Sequence, residues 1–187
     1  MILVLVTAAV VAFIAVRRGG SLEALAATEF AWTSLLFVAL LVQVTADLWG
    51  RFTPATVEAA VLVLTYTAVA FFLALNRHLP GMLIAAVGMS LNAIVIVVNG
   101  AMPVSLWAAR IAGVELEGDL GVKHEAAGPH TVLSFLADVI PIPLTLQVVS
   151  IGDVVMAVGI AILVYRQTLR PLPQPANAAD PATTLSG

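Results

Sequence analysis

Five apolar runs, at about 2–16, 30–49, 55–75, 79–98 and 150–166, limit what this chain can fold into more than any other feature. A helix needs roughly 20 apolar residues to cross a bilayer core of about 30 Å. Composition points the same way. Of the 187 residues, 61% are hydrophobic and 10% charged, where a soluble domain carries about a quarter charged residues. The expected fold is therefore all-α: a polytopic transmembrane bundle of about five spans. A net charge of −3 gives no basic footprint for nucleic acid. The chain has no cysteine, which excludes disulfides, thiolate metal sites and thiol redox chemistry.

The first run is short, and Arg17 and Arg18 follow it while no Lys or Arg precedes it. That charge order is the reverse of a cleaved leader, so a retained span is expected. Thr53-Pro54 offers a capping hydroxyl and a proline at the first helical position. Leu79-Pro80 opens the fourth run similarly, and Gly19-Gly20 breaks the chain after the first. Residues 1–169 form the membrane-embedded domain, and the proline-rich 170–187 reads as a disordered cytoplasmic tail. With the N-terminus outside, Arg17, Arg18, Arg77, Arg166 and Arg170 lie in the cytoplasm, and Arg51, Arg110 and Lys123 lie outside. The positive-inside rule favours that orientation.

The connection over about 99–149 is long for so small a protein, and long connections are usually functional or disordered. "MPVSLWAARIAGV" reads as an interfacial helix with Trp107 at headgroup level. "TVLSFLADVIPIPLTLQVV" is apolar, but Pro141 and Pro143 forbid a continuous helix. An extended or re-entrant element on the outer face of the bundle fits both facts, provided protein or water satisfies its backbone.

Asp47, Glu58, Asn99 and Asp153 all fall near the outer ends of their runs. Gly81, Gly88, Asn92 and Asn99 form one stripe on the fourth. Glu58, Thr65 and Asn76 share a face of the third, and Gln43 and Asp47 lie one turn apart on the second. The plainer reading of each is interhelical glue, a helix-dipole acid at Glu58 or an interfacial Asp47. The functional reading joins Asp47, Glu58, Asn92, Asn99 and Ser150 into an outward-facing polar pocket roofed by residues 131–149. Ser150-Ile151-Gly152-Asp153 also fits a capping box, which alone accounts for Ser150 and Asp153. The bend at Pro141 and Pro143 could, however, fold Asp138 back onto Asp153. Two carboxylates sharing a proton are the apparatus of aspartyl hydrolysis. No metal site is expected: in "KHEAAGPH", His124, Glu125 and His130 miss the H-E-x-x-H spacing. No cofactor is implied. No internal repeat suggests a transporter.

Two resemblances attach to these residues. "LPGM", Leu91-Asn92, "NGAMPVS", "LADVIPIP" and "SIGDVVMAVG" resemble an uncharacterised family of bacterial multi-pass membrane proteins, a domain of unknown function. That resemblance spans most of 1–166 and implies location in a bacterial cytoplasmic membrane, without a chemistry. Asp138 and Asp153, with "GMSLNAIVIVVNG", are also similar in placement to the outward-facing aspartate pair of lipoprotein signal peptidases. The sequence departs from those peptidases in lacking Asn-x-x-Asp-Arg, in reading Ser-Ile-Gly-Asp at the last motif, and in showing five runs where they have four spans.

The leading expectation is a non-catalytic protein that binds a partner protein or an amphipathic ligand in the outer pocket, with the bilayer or a second copy as further partners. The alternative is an aspartate-dyad hydrolase acting on a membrane-embedded peptide or lipid-linked substrate. There Asp153 would serve as base, Asp138 as acid, and Asn92 or Asn99 would hold the scissile carbonyl. A small-solute carrier is a third, lesser reading.

Overall fold

The computed structural model describes residues 2–49, 54–114 and 124–172. Seven α-helices lie among them: α1 Ile2–Arg17, α2 Leu22–Ala26, α3 Thr33–Trp49, α4 Ala55–Leu75, α5 Met82–Asn99, α6 Leu106–Ala112 and α7 Ile151–Thr168. Three segments are long and apolar enough to cross a membrane: Thr56–Leu75, Met82–Asn99 and Ile151–Thr168. Ile2–Arg17 and Thr33–Ala46 are apolar but shorter. Leu5, Phe13, Phe37, Leu41, Leu64, Phe71 and Leu83 all point outward and stay exposed. So much contiguous apolar surface is foreign to a protein folded in water.

The helices pack in the order α1, α7, α5, α4, α3, and the central α5–α7 contact is the most extensive. Glycine makes it so close. A Cβ on Gly81 would strike the carbonyl of Gly159, and one on Gly88 would come within 2.5 Å of the Gly152 oxygen. Gly159 and Gly152 face backbone of α5 in return. Both pairs are seven residues apart, and the earlier residue of one helix meets the later residue of the other. The two helices therefore run antiparallel with their backbones nearly touching, as small residues permit.

Around this centre, Phe72, Leu73, Met82, Ala85, Met89, Met156 and Leu163 form one buried cluster. Leu62, Val95, Ile96 and Met102 form another beneath the connection between α5 and α7. That connection is neither one helix nor one loop. Strand β1 (Met102–Val104) pairs in parallel with β2 (His124–Ala126) and also bridges Asp138. Strands β3 (Ile140–Ile142) and β4 (Gln147–Val149) form an antiparallel hairpin that packs on α6 and delivers the chain to Ser150.

Several sequence boundaries shift. The helix expected over 102–114 begins only at Leu106, where Ser105 caps it through the Ala108 N–H, and the residues before it are strand. Trp107 is exposed. The fourth run enters its helix at Met82 rather than 79, because Gly81 takes a left-handed φ of 82°. The second enters at Thr33, after a left-handed Trp32, and a short α2 capped by Ser21 fills the preceding connection. Pro54 caps α4 instead of opening it. Thr53, Arg51, Lys123, the side chains of Asp47 and His124, and the tail beyond 172 lie outside the described residues.

The glycine contact gives a direct test. Gly152→Ala and Gly159→Ala should each lower stability by about 1–3 kcal/mol through overpacking. Gly128→Ala, where an added Cβ meets nothing within 4 Å, should stay within about 0.5 kcal/mol of the parent. Unfolding of the three variants in detergent decides it.

Candidate functional site

Where α7 begins, a chain start and a helix stripe lock together. Ser150 caps α7: its Oγ accepts the Asp153 N–H at 2.9 Å, and its own N–H donates to Asp153 Oδ2 at 3.2 Å. The capping box read from the sequence is therefore formed in full. The neighbouring α5 adds what the sequence left open. Asn92 Nδ2 donates to Asp153 Oδ1 at 2.9 Å, and Ser150 Oγ donates to Asn92 Oδ1 at 2.8 Å. Asn92 thus reads both halves of the cap. Gly152 makes room for it, since a Cβ there would overlap the Asn92 amide.

Asn92 is 3% exposed and Ser150 0%, so both sit inside the helix contact. An amide and a hydroxyl so buried need every partner they have. The ring of four bonds supplies them and sets α7 axially against α5. Asp153, half-buried at the third helical position, also faces the positive end of the helix dipole.

Asp138 reaches the same end of the bundle by another route. Its N–H donates to the Pro103 carbonyl at 2.9 Å, and its carbonyl accepts the Ser105 N–H at 2.9 Å, which sews it to β1. The β3–β4 register, with Ile140 opposite Val149, then turns the chain back toward α7. The side chain is 4% exposed. Burial, and then the negative charge of Asp153, push its carboxyl from the ordinary 3.8 up to about 7, while the positive amino terminus pulls the other way.

Asn99 goes elsewhere. Its Nδ2 donates to the Val132 carbonyl at 3.0 Å and its Oδ1 accepts the Val132 N–H at 2.9 Å, a two-point clamp on the connecting segment. Beside it lies a cavity of about 320 Å³, lined by Asn99, Pro103, Glu125, His130 and Thr131 among others. Asn76, fully buried, clamps Ala31 in the same way at the opposite end of the bundle, with bonds of 3.0 and 2.7 Å. Thr65 Oγ1 lies 2.7 Å from Gln43 Oε1 and ties α4 to α3. Glu58 is half-buried, and its Oε1 has no hydrogen-bond partner. The structure therefore brings Asn92, Ser150 and Asp153 into one network, with Asp138 close by. Asn99 lines a separate cavity, and the side chain of Asp47 lies outside the described residues.

Sequence reasoning missed the Gly152–Gly159 pair and the Val132 and Ala31 clamps. The seven-residue spacing shared by 81/88 and 152/159 was a usable signal for the first. The clamps leave none, because any backbone can accept them. Among the described residues no group of three or more His, Cys, Asp or Glu side chains could hold a metal ion.

The profile of a family of unknown function, DUF5317, matches residues 27–165, most of the chain. An uncharacterized protein of Thermotoga maritima is 34% identical over 103 residues, which are 53% of this chain and 59% of that protein. The chain thus spans less than two thirds of that curated relative. No solved structure matches.

The ring around Asn92 predicts coupled stabilities. Asn92→Ala should cost about 1–3 kcal/mol, because Ser150 Oγ and Asp153 each lose a buried partner. A double-mutant cycle with Asp153→Ala should give a coupling of about 0.5–2 kcal/mol. Additive losses would mean the cap and the stripe act independently.

Proposed function

The chain belongs to DUF5317, a family of unknown function, and from that premise we propose that it is an integral protein of the bacterial cytoplasmic membrane that binds a partner protein or an amphipathic ligand at its outer face. In this reading α1, α3, α4, α5 and α7 all cross the bilayer, the amino terminus lies outside and the tail beyond α7 is cytoplasmic. The exposed apolar side chains along these helices support the bilayer setting. Basic residues agree with the direction: Arg17 and Arg18 follow α1, Arg77 follows α4, and Arg166 and Arg170 mark the end of α7. The 100–150 segment is then an outer cap on the bundle.

The observation that carries the binding reading is the cavity beside Asn99. At about 320 Å³ it is the size of a small ligand site. Glu125, His130 and Thr131 offer it a carboxylate, an imidazole and a hydroxyl. The Asn92 ring, by contrast, is occupied by its own partners. It makes a rigid floor for the cap and leaves no open pocket between Asn92 and Ser150.

The natural absence of cysteine makes the orientation measurable. A single thiol from Gly128→Cys should react with a membrane-impermeant maleimide in intact spheroplasts, and one from Arg170→Cys only after lysis. The reverse pattern would invert the topology and remove the outer site. For binding, amphiphiles and headgroup analogues that raise the melting temperature of the parent should lose that effect in Glu125→Gln/His130→Ala.

The acid pair supports a second reading. Burial and the charge of Asp153 push the Asp138 carboxyl up to about 7, which suits the acid of an aspartate-dyad hydrolase, with the hydrogen-bonded Asp153 in the place of the base. It ranks below binding because both oxygens of Asp153 already accept internal donors. A hydrolase should leave an uncleaved membrane peptide or lipid-linked species accumulating in Asp138→Asn cells. Unchanged membrane peptide and lipid profiles would end this reading.

A further inference from the structure

The cavity beside Asn99 is lined by an acid from one strand and by donors from a tight turn. Glu125 stands on β2, in register with Pro103 of β1. Val98 and Asn99 also line the cavity, so the negative pole of the α5 dipole ends beside it. The turn is Gly128–Thr131, closed by the Thr131 N–H on the Gly128 carbonyl at 3.1 Å. Pro129 in its second position fixes the backbone there. The Gly128 N–H donates to Thr131 Oγ1 at 2.9 Å, which leaves that hydroxyl its own proton to donate. His130 adds an imidazole N–H. Glu125 and His130 are exposed, and neither side chain has a hydrogen bond or ion pair among the described residues. The Asn99 amide, by contrast, is committed to Val95 and Val132.

We propose that this cavity takes the headgroup of an aminophospholipid, with its primary ammonium on Glu125, its phosphate on His130 and Thr131, and an acyl chain along α5. The proposal names the ligand class for the binding reading given above, and rests on that reading. The chain has a track of its own. Ile84, Val87, Leu91, Ile94 and Val98 lie at steps of three and four residues and share one face of α5. All but the half-buried Leu91 are exposed, and Val98, at the top of this face, is also a wall of the cavity. At 1.5 Å per residue the track is about 21 Å long, more than one leaflet of a core about 30 Å thick.

Headgroup chemistry narrows the lipid. A primary ammonium has three N–H donors, which suit a carboxylate with no other partner. A quaternary ammonium has none and is ordinarily held by an aromatic cage, whereas no Phe, Tyr or Trp lines this cavity. An anionic headgroup without an amine would bring its phosphate to the same walls and leave Glu125 uncompensated beside it. At about 320 Å³ the cavity has room for a headgroup, and the chains must lie outside it.

Native mass spectrometry of the full-length chain in detergent, with dioleoyl lipids that differ only in headgroup, tests this. Phosphatidylethanolamine should bind at least about tenfold more tightly than phosphatidylcholine or phosphatidylglycerol, as one charge-assisted hydrogen bond allows. Glu125→Gln should abolish that preference. His130→Ala should weaken the ethanolamine and glycerol lipids alike, since both carry the phosphate. Glycerophosphoethanolamine, the headgroup without chains, should compete only at a concentration at least about a hundredfold higher. Both substituted side chains are exposed, so the variants should melt with the parent when no lipid is added. The comparison of the three lipids on the parent decides the headgroup even if a variant fails to fold. Equal binding of the three lipids, an ethanolamine preference that survives Glu125→Gln, or equal competition by the chain-free headgroup overturns the proposal. A choline or glycerol preference that Glu125→Gln/His130→Ala removes overturns it too, yet keeps the amphiphile site. Absence of any lipid binding removes the proposal and that site together.

Discussion

The close approach of α5 to α7 is the constraint on which the other parts depend. Facing glycines at 81/159 and 88/152 remove the side chains that would keep the two backbones apart. Dispersion contacts between the two backbones then run along the seam. Two consequences follow. Helices α1 and α4 inherit their positions, since each packs against one member of this central pair. The first turn of α7 is also brought beside Asn92, so the capping box at that end becomes a joint between helices.

That joint links the bundle to its cap. Ser150 ends the β3–β4 hairpin and starts α7, so the strand pairing and the helix cap share a residue that is wholly buried. Asp138 is fixed at the other side of the hairpin by its bonds to β1. Burial of a carboxyl in such a setting is costly unless it is neutral or fully partnered.

Asparagine plays the same part at both ends of the molecule. Asn76 clamps Ala31 and Asn99 clamps Val132, each offering one donor and one acceptor to a backbone that has left regular structure. A side-chain amide substitutes here for a missing strand partner. Both residues sit where an apolar helix ends, so they fasten a connecting segment to the bundle without disturbing helical hydrogen bonding.

The helices were legible because their signals are local: apolar length, a proline or glycine at each break, and the Ser-x-x-Asp cap before α7. The proline pair at 141 and 143 correctly forbade a continuous helix. What the hairpin and β1 do with that bend was not legible, since a strand pairing between residues 102–104, 124–126 and 138 leaves no mark on any of them alone. The polar stripe on α5 was visible too, but its partners were not. Spacing puts Gly81, Gly88, Asn92 and Asn99 on one face; only packing against α7 decides that Asn92 closes a buried ring while Asn99 grips the cap. Sequence by itself settled the apolar helices and the capping box, because each depends on neighbours within a turn or two. Tertiary structure alone decided which helices touch and how deeply Asp138 is buried, because both depend on groups far apart in the chain that meet only when it folds.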